Sequence, residues 1–294
     1  MDTTSDQGMT KAASYWDDHV GQHINSFVQW DASKPVQMHQ WKHITGDRHC
    51  NPVTWFWHKY GPFARSASIG CGNGILERSV AGHLLPAGGR ITGFDISPAS
   101  ISLARSLSTK EGADFAVRDL NQDLWEHATY NAVFAHGALH HVEALDFCLG
   151  QIANALKPGG LLYVNDYFGP ARFQFSDVQL RLARELLLHV PERFRSTNTP
   201  KRCDPVALSR MDPSEAVNSH QTYETIRAHF RIIEMHDTGG TLLAPIFGGG
   251  CLDPTIIETS EGLEVISMLA EIERTMIDDG LIRSDHLLLV CSKR

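Results

Sequence analysis

From Arg65 onward, short apolar runs alternate with stretches of helical period. Residues 65–70, 90–95, 114–120, 130–136 and 161–166 read as strands, bounded by Gly, Pro, Asp or Asn. Between them, Ile75 to Leu85, a segment opening on Pro98, and residues 143–156 carry the spacing of helices, Pro98 suiting a first helical turn. Pro158-Gly159-Gly160 stops the last of these. Strands that alternate with helices and are largely apolar belong to a parallel sheet covered on both faces.

The rhythm breaks over residues 170–220. Asp177 to Val190 reads as a helix with Leu180, Leu182, Leu186 and Leu187 among its apolar positions. Pro191 to Pro213 is a connection too long for a simple link. Strand character returns at Phe230 to Met235, followed by a helix from Glu261 to Ile277 and a last strand from His286 to Cys291. Ahead of the alternation, residues 13–60 are rich in aromatic side chains and predict short helices, with Trp55 to Trp57 packed in the core. Residues 1–12 are polar and terminal, which predicts disorder.

One stretch adds chemistry to this pattern. Ser66-Ala67-Ser68-Ile69 runs into Gly70-Cys71-Gly72-Asn73-Gly74, and a helical pattern starts at once. Glycine accepts a positive φ and lets a ligand approach the backbone. The helix that follows turns its free N–H groups toward that ligand. A second strand ends at Gly93-Phe94-Asp95-Ile96-Ser97, placing an acid about 20 residues on, where a Rossmann-type fold offers a carboxylate to ribose hydroxyls. The spacing G-x-G-x-G, one residue short of G-x-G-x-x-G, points away from a dinucleotide.

These motifs, with Leu156-Lys157-Pro158-Gly159-Gly160-Leu161-Leu162 at the turn into strand five, resemble those of the class I S-adenosylmethionine-dependent methyltransferases. The resemblance covers roughly residues 60–170 in specific motifs. It implies an α/β, Rossmann-like, doubly wound sheet of seven strands, mostly parallel with an antiparallel seventh. It also implies a helical lid over residues 1–60, a methyltransferase domain over 61–294 and a helical cap inserted at about 170–220. The implied cofactor is S-adenosylmethionine, leaving as S-adenosylhomocysteine. Its expected contacts are Gly70, Gly72 and Gly74, Asp95 on the ribose, Ile96 on the adenine face, Asp119 and Leu120 after strand three, His136 after strand four, and Tyr15 from the lid. One departure stands out: the family often carries an acid two positions before the first glycine, and this chain has Ser68.

Composition narrows the partners. A net charge of −8 argues against a protein organised around nucleic-acid phosphates. Six cysteines without C-x-x-C spacing read as reduced thiols. The polar, acidic start is no signal peptide, and no apolar run approaches the ~20 residues of a membrane span. The expectation is a cytoplasmic protein with a small-molecule acceptor, no nucleic acid and no membrane, a homodimer being left open.

His141 is a candidate general base in the turn 136–141, since imidazole titrates near neutrality. The alternative, that this turn simply packs beside the cofactor, stays open. No cysteine or carboxylate stands at ligand spacing from these histidines, so no metal is expected. After strand five, Asp166 and Tyr167 are placed to accept or relay a proton, while Tyr167, Arg172 and Gln174 are placed to meet the acceptor. The expected reaction is methyl transfer to a hydroxyl oxygen, with nitrogen or sulfur possible in principle, on a sugar or secondary metabolite. A non-catalytic binder of the same cofactor and an NAD-dependent oxidoreductase on a similar sheet are the competing readings.

Overall fold

The computed structural model describes residues 13–18 and 30–294. The expectation of disorder over residues 1–12 lies outside the described residues, as does Phe27 of the aromatic segment. Seven strands form one sheet in the order β3-β2-β1-β4-β5-β7-β6. They are β1 (Arg65–Ile69), β2 (Arg90–Asp95), β3 (Ala113–Val117), β4 (Tyr130–His136), β5 (Leu156–Tyr167), β6 (Phe230–Gly239) and β7 (His286–Lys293). Neighbours among β1 to β5 pair in parallel, and β7 runs antiparallel to both β5 and β6. Strand order reverses between β1 and β4, which opens a crevice at their carboxyl ends.

The two-residue side-chain period sorts the sheet's apolar residues onto two faces. Val133, Ala135, Leu162, Val164 and Leu289 belong to one core cluster. Their chain neighbours Ala132, Phe134, Tyr163, Leu288 and Val290 belong to the other. On the first face lie α5 (Leu145–Ala155) and α8 (Ser219–His229), through Leu149, Ile152 and Ile226. On the second lie α2 (Pro52–Tyr60) and α3 (Ile75–His83), through Phe56, Trp57 and Val80. Helix α4 (Pro98–Leu107) packs Ile101 and Ala104 against Phe115.

A further apolar cluster is assembled from distant parts of the chain. It joins Trp30, Val36 of α1 (Lys34–Thr45), Leu186 and Leu187 of α6 (Asp177–Leu187), Ile246 and Phe247 of α9 (Leu243–Phe247), and Ile266 and Leu269 of α10 (Ser260–Asp278). Glu273, fully enclosed on α10, accepts the backbone N–H groups of Gly240, Leu242 and Leu243 at 2.6–3.0 Å. These bonds fix this body to the end of β6. Helix α7 (Pro205–Met211) lies in the long connection.

Strand positions agree with the sequence pattern to within a few residues, except at β5 and β6. Leu156 already pairs with Tyr130 ahead of a register shift, so β5 starts five residues before the expected Leu161. Strand β6 continues past Met235 to Gly239, bent by two irregularities in its pairing with β7. The α8 helix carries no apolar stripe strong enough to announce it: in a largely polar sequence only Ser219, Thr222 and Ile226 are buried. No described helix is long and apolar enough to cross a membrane.

Candidate active site

The glycine turn leaves β1 with Gly70, Gly72 and Gly74 all at positive φ, +60°, +51° and +76°. A Cβ at Gly70 would meet that of Ala138 at 2.8 Å, and one at Gly74 would strike the Phe115 ring at 2.5 Å. At Gly72 it would meet nothing within 4 Å, because that face is open to a cavity. The three glycines therefore differ: Gly74 allows helix α3 to pack, while Gly70 and Gly72 line the crevice.

Asp95 ties the second strand to this turn. Its Oδ2 accepts from Gly72 N at 2.9 Å and its Oδ1 from Ser97 N at 2.9 Å. Burial pushes its carboxyl pKa up, against these bonds. Ser97 caps α4, and its hydroxyl meets the Asp17 carboxylate at 2.5 Å, which also accepts Ala99 N at 3.1 Å. Asp17 thus fastens the 13–18 helical segment to the rim of the crevice. Beside it Trp16 lines the crevice, edge-on to both Tyr15 and His141. Tyr15 itself is held above the ordinary phenol range by burial and by Asp212 and Glu215.

A cavity of about 250 Å³ brings together Gly70, Gly72, Asp95, Ile96, Asp119 and Leu120 with Trp16, Gly137 and His141. Asp119 also orders its own turn, accepting from Asn121 N at 2.9 Å and Gln122 Nε2 at 2.8 Å. A neighbouring cavity of about 470 Å³ shares Gly70 and Gly72 and adds Ser68, Glu77 and His136. A third, about 220 Å³, shares Gly137 with the first and His136 with the second. Its walls are Trp30, Asp31, Gln37, Gln40, Trp41, Asn51, His140, Asn165, Asp166, Tyr167, Thr238 and His286, with backbone and apolar atoms between.

Asp166 anchors the partition between these spaces. It is 2% exposed and accepts from Ala138 N at 2.9 Å, Leu139 N at 2.7 Å, Tyr167 N at 2.8 Å and His140 Nδ1 at 2.5 Å. Burial opposes its charge, but His140 and these donors hold the carboxyl below its ordinary range. Burial likewise opposes the His140 cation, and Asp166, Glu215 and Asp212 outweigh it, so His140 titrates above the ordinary imidazole range. His136 differs: desolvation by the surrounding walls lowers its pKa below that range, although the residue is exposed to the cavities on either side. His286 is also held neutral by burial, packed on Trp30 and Tyr167.

The remaining expected site residues divide: Tyr167 and His141 border the cavities, while Arg172 and Gln174 bond the backbone of the connection. The Arg172 guanidinium donates to the carbonyls of Glu215 at 2.7 Å, Pro213 at 2.6 Å and Asp212 at 3.4 Å, which staples the connection 212–215. Gln174 donates to the carbonyls of Arg172 and Cys203. Tyr167 faces the third cavity, but its hydroxyl donates to Pro170 O at 2.9 Å and its pKa is raised by burial. His141 lies on the wall of the 250 Å³ cavity, with Nδ1 3.2 Å from Ser214 Oγ and 3.7 Å from Asp212 Oδ2. His140, His141 and Glu215 each bring a potential ligand atom within 4.8 Å of the others, a grouping that local spacing could not reveal because Glu215 is distant in sequence from the two histidines.

Comparison with known proteins agrees with this geometry. Residues 67–162 match the model of a methyltransferase domain family. The ubiquinone biosynthesis O-methyltransferase of Xanthomonas axonopodis pv. citri is 31% identical over 105 residues, covering 35% of this chain and 42% of its own. The demethylmenaquinone methyltransferase of Tropheryma whipplei is 33% identical over 106 residues, covering 36% and 42%. The chain spans half or less of the length of the curated relatives it matches, from 34% to 50%. The geranyl diphosphate C-methyltransferase of Streptomyces coelicolor A3(2) superposes with a TM-score of 0.54 at 11% identity over 97% of both chains, a likeness of fold. The domain built on β1 to β5 is a class I S-adenosylmethionine-dependent methyltransferase domain, and S-adenosylmethionine is its cofactor.

The residues present fit that cofactor: Gly72 opens where a Cβ would intrude, and the Asp95 carboxylate, with both oxygens already oriented, borders the same space. Asp95→Ala should weaken S-adenosylhomocysteine binding about tenfold or more, since hydrogen bonds to charged groups are worth ~1.5–3 kcal/mol. Isothermal calorimetry reads this directly, and an unchanged affinity removes Asp95 from the ribose.

Proposed function

We propose that this chain methylates a hydroxyl oxygen of a small, polar, uncharged molecule, such as a sugar or polar secondary metabolite. The observation that supports it is the 220 Å³ cavity, which meets the cofactor side at His136 and Gly137 and is lined by neutral amides, aromatic rings and carboxylates, with no Lys or Arg and with the His140 cation already paired to Asp166 and Glu215. Such a wall suits hydroxyl groups and is ill-suited to a diphosphate, which calls for cations. When bound, S-adenosylmethionine supplies an electrophilic sulfonium methyl.

The chain's own part is alignment, exclusion of water and disposal of one proton. Gly70, Gly72 and Asp95 hold the cofactor, and the 13–18 segment with Trp16 closes over it as a lid. Helix α1, with Trp30 and Asp31 ahead of it, walls the acceptor side. His136 takes the hydroxyl proton, because it is the neutral imidazole open to both spaces. His140 is already charged between Asp166 and Glu215, so it orients the partition and is not the base. Alignment of this kind can lower a barrier by ~7–11 kcal/mol, the larger share of the catalysis.

The test is transfer of labelled methyl from S-adenosylmethionine to a panel of polyols, glycosides, phenols, amines and prenyl diphosphates. Label on hydroxyl acceptors supports the reading. Transfer confined to the diphosphates refutes it, and cofactor binding with no transfer to any class favours a non-catalytic binder.

A further inference from the structure

Two positions before Gly70, where the family often has an acid, this chain has Ser68 on β1. An acid is nonetheless present, carried by another element. Glu77 lies in the first turn of α3 and is 0% exposed, an uncommon state for glutamate. Its Oε1 accepts from Ser68 Oγ, and its Oε2 has no hydrogen-bond partner. The contrast with Glu273 is informative: that enclosed carboxylate spends both oxygens on backbone N–H groups, whereas Glu77 keeps one acceptor unspent.

A buried carboxylate oxygen without a partner is costly, and the cost is relieved when a cation or donor arrives. Glu77 and Ser68 border the 470 Å³ cavity together with Gly70, Gly72 and His136. Arg78, its neighbour in sequence, turns its guanidinium to the carbonyl of Asn73. The first-turn position also favours an anion through the helix dipole.

We propose that Glu77, from helix α3, receives the ammonium group of the cofactor's methionine portion, in the role that an acid on β1 would otherwise fill. The assignment rests on the cofactor reading above. The small Ser68 side chain makes the room, and its hydroxyl aims the carboxylate. Burial pushes the Glu77 pKa up to about 7, so the carboxyl is only partly ionised until an approaching cation favours its charged form.

Calorimetry on the full chain separates this role from others by comparing S-adenosylhomocysteine with 5′-methylthioadenosine, which lacks the amino-acid portion. Glu77→Gln should lower affinity for the first about tenfold or more, the scale of a charge-assisted bond, and leave the second unchanged. The double variant Ser68→Asp/Glu77→Gln returns the charge to β1 and should recover much of the loss. Equal affinity of Glu77→Gln and wild type for S-adenosylhomocysteine overturns the assignment, as does a parallel loss for both compounds. If Glu77→Gln does not fold, Glu77→Asp, which withdraws the charge by one methylene, decides by the same ratio. Wild-type protein that binds neither compound overturns the cofactor reading and this assignment with it, whereas the first two outcomes leave that reading intact.

Discussion

His136→Asn should lower the single-turnover rate of methyl transfer about 10²–10⁴-fold, the range of one general base, with a much smaller change in cofactor affinity. The reason is position and protonation together. His136 ends β4, exposed to both the cofactor-side and the acceptor-side cavities, and desolvation by their walls lowers its pKa. Its lowered pKa also sets the pH response. The base is competent when deprotonated, so the wild-type rate should be level at neutral pH and above, falling only as pH drops below about 6.5, the ordinary imidazole value. His141→Ala, on the cofactor wall with Nδ1 near Ser214, should cost far less. A dead His141→Ala beside an active His136→Asn would return the role to His141.

The second large effect is on stability. Asp166→Ala should destabilise the fold by ~3–5 kcal/mol in urea unfolding, the cost of breaking a buried ion pair by removing one partner. It takes from His140 the partner that keeps it charged and strips the acceptor from three backbone N–H groups. The pair has a pH window. The Asp166 carboxyl is depressed, so its contribution is complete above about pH 4 and is lost as pH falls through the depressed value. His140 is raised, so its contribution is complete below about pH 6.5 and is lost as pH rises through the raised value. The difference between wild type and variant should therefore be widest between these limits. A loss below about 1 kcal/mol, typical of an exposed pair, would show that the enclosure of Asp166 has been overstated.

The cofactor half of the molecule was legible because its determinants are local. Gly70 to Gly74 form one turn, Asp95 ends the next strand of the sheet, and Asp119 opens the turn after the third. Period and punctuation are enough to find such groups. The acceptor side was not legible in the same way. Its walls come from residues 30–52, 136–140, 165–167, 238 and 286, and nothing in the local spacing of Trp30 or His286 shows that they will touch. Arg172 illustrates the same limit: a cation near the end of β5 reads as a ligand for an anion until its guanidinium is seen among three carbonyls. Glu77 is the converse, a helix residue to which the sequence pattern assigns no role and which is enclosed.

The apolar body that joins α1 to α10 has a consequence for the order in which the molecule is made. His39 of α1 bonds Ser267 of α10 at 2.8 Å across 228 residues of chain, and Gln40 bonds the carbonyl of Thr238. Contacts of such sequence separation must overcome the loop-closure entropy of everything between them, and they form late. On the ribosome, β1 to β5 can pair as soon as residue 167 has emerged, while Val36 and His39 of α1 wait for their partners until α10 is released. The cofactor crevice would then exist in the nascent chain before the acceptor chamber has a far wall. Pulse-labelled chains arrested near residue 200 should bind S-adenosylhomocysteine and yet remain open to proteases at residues 34–45.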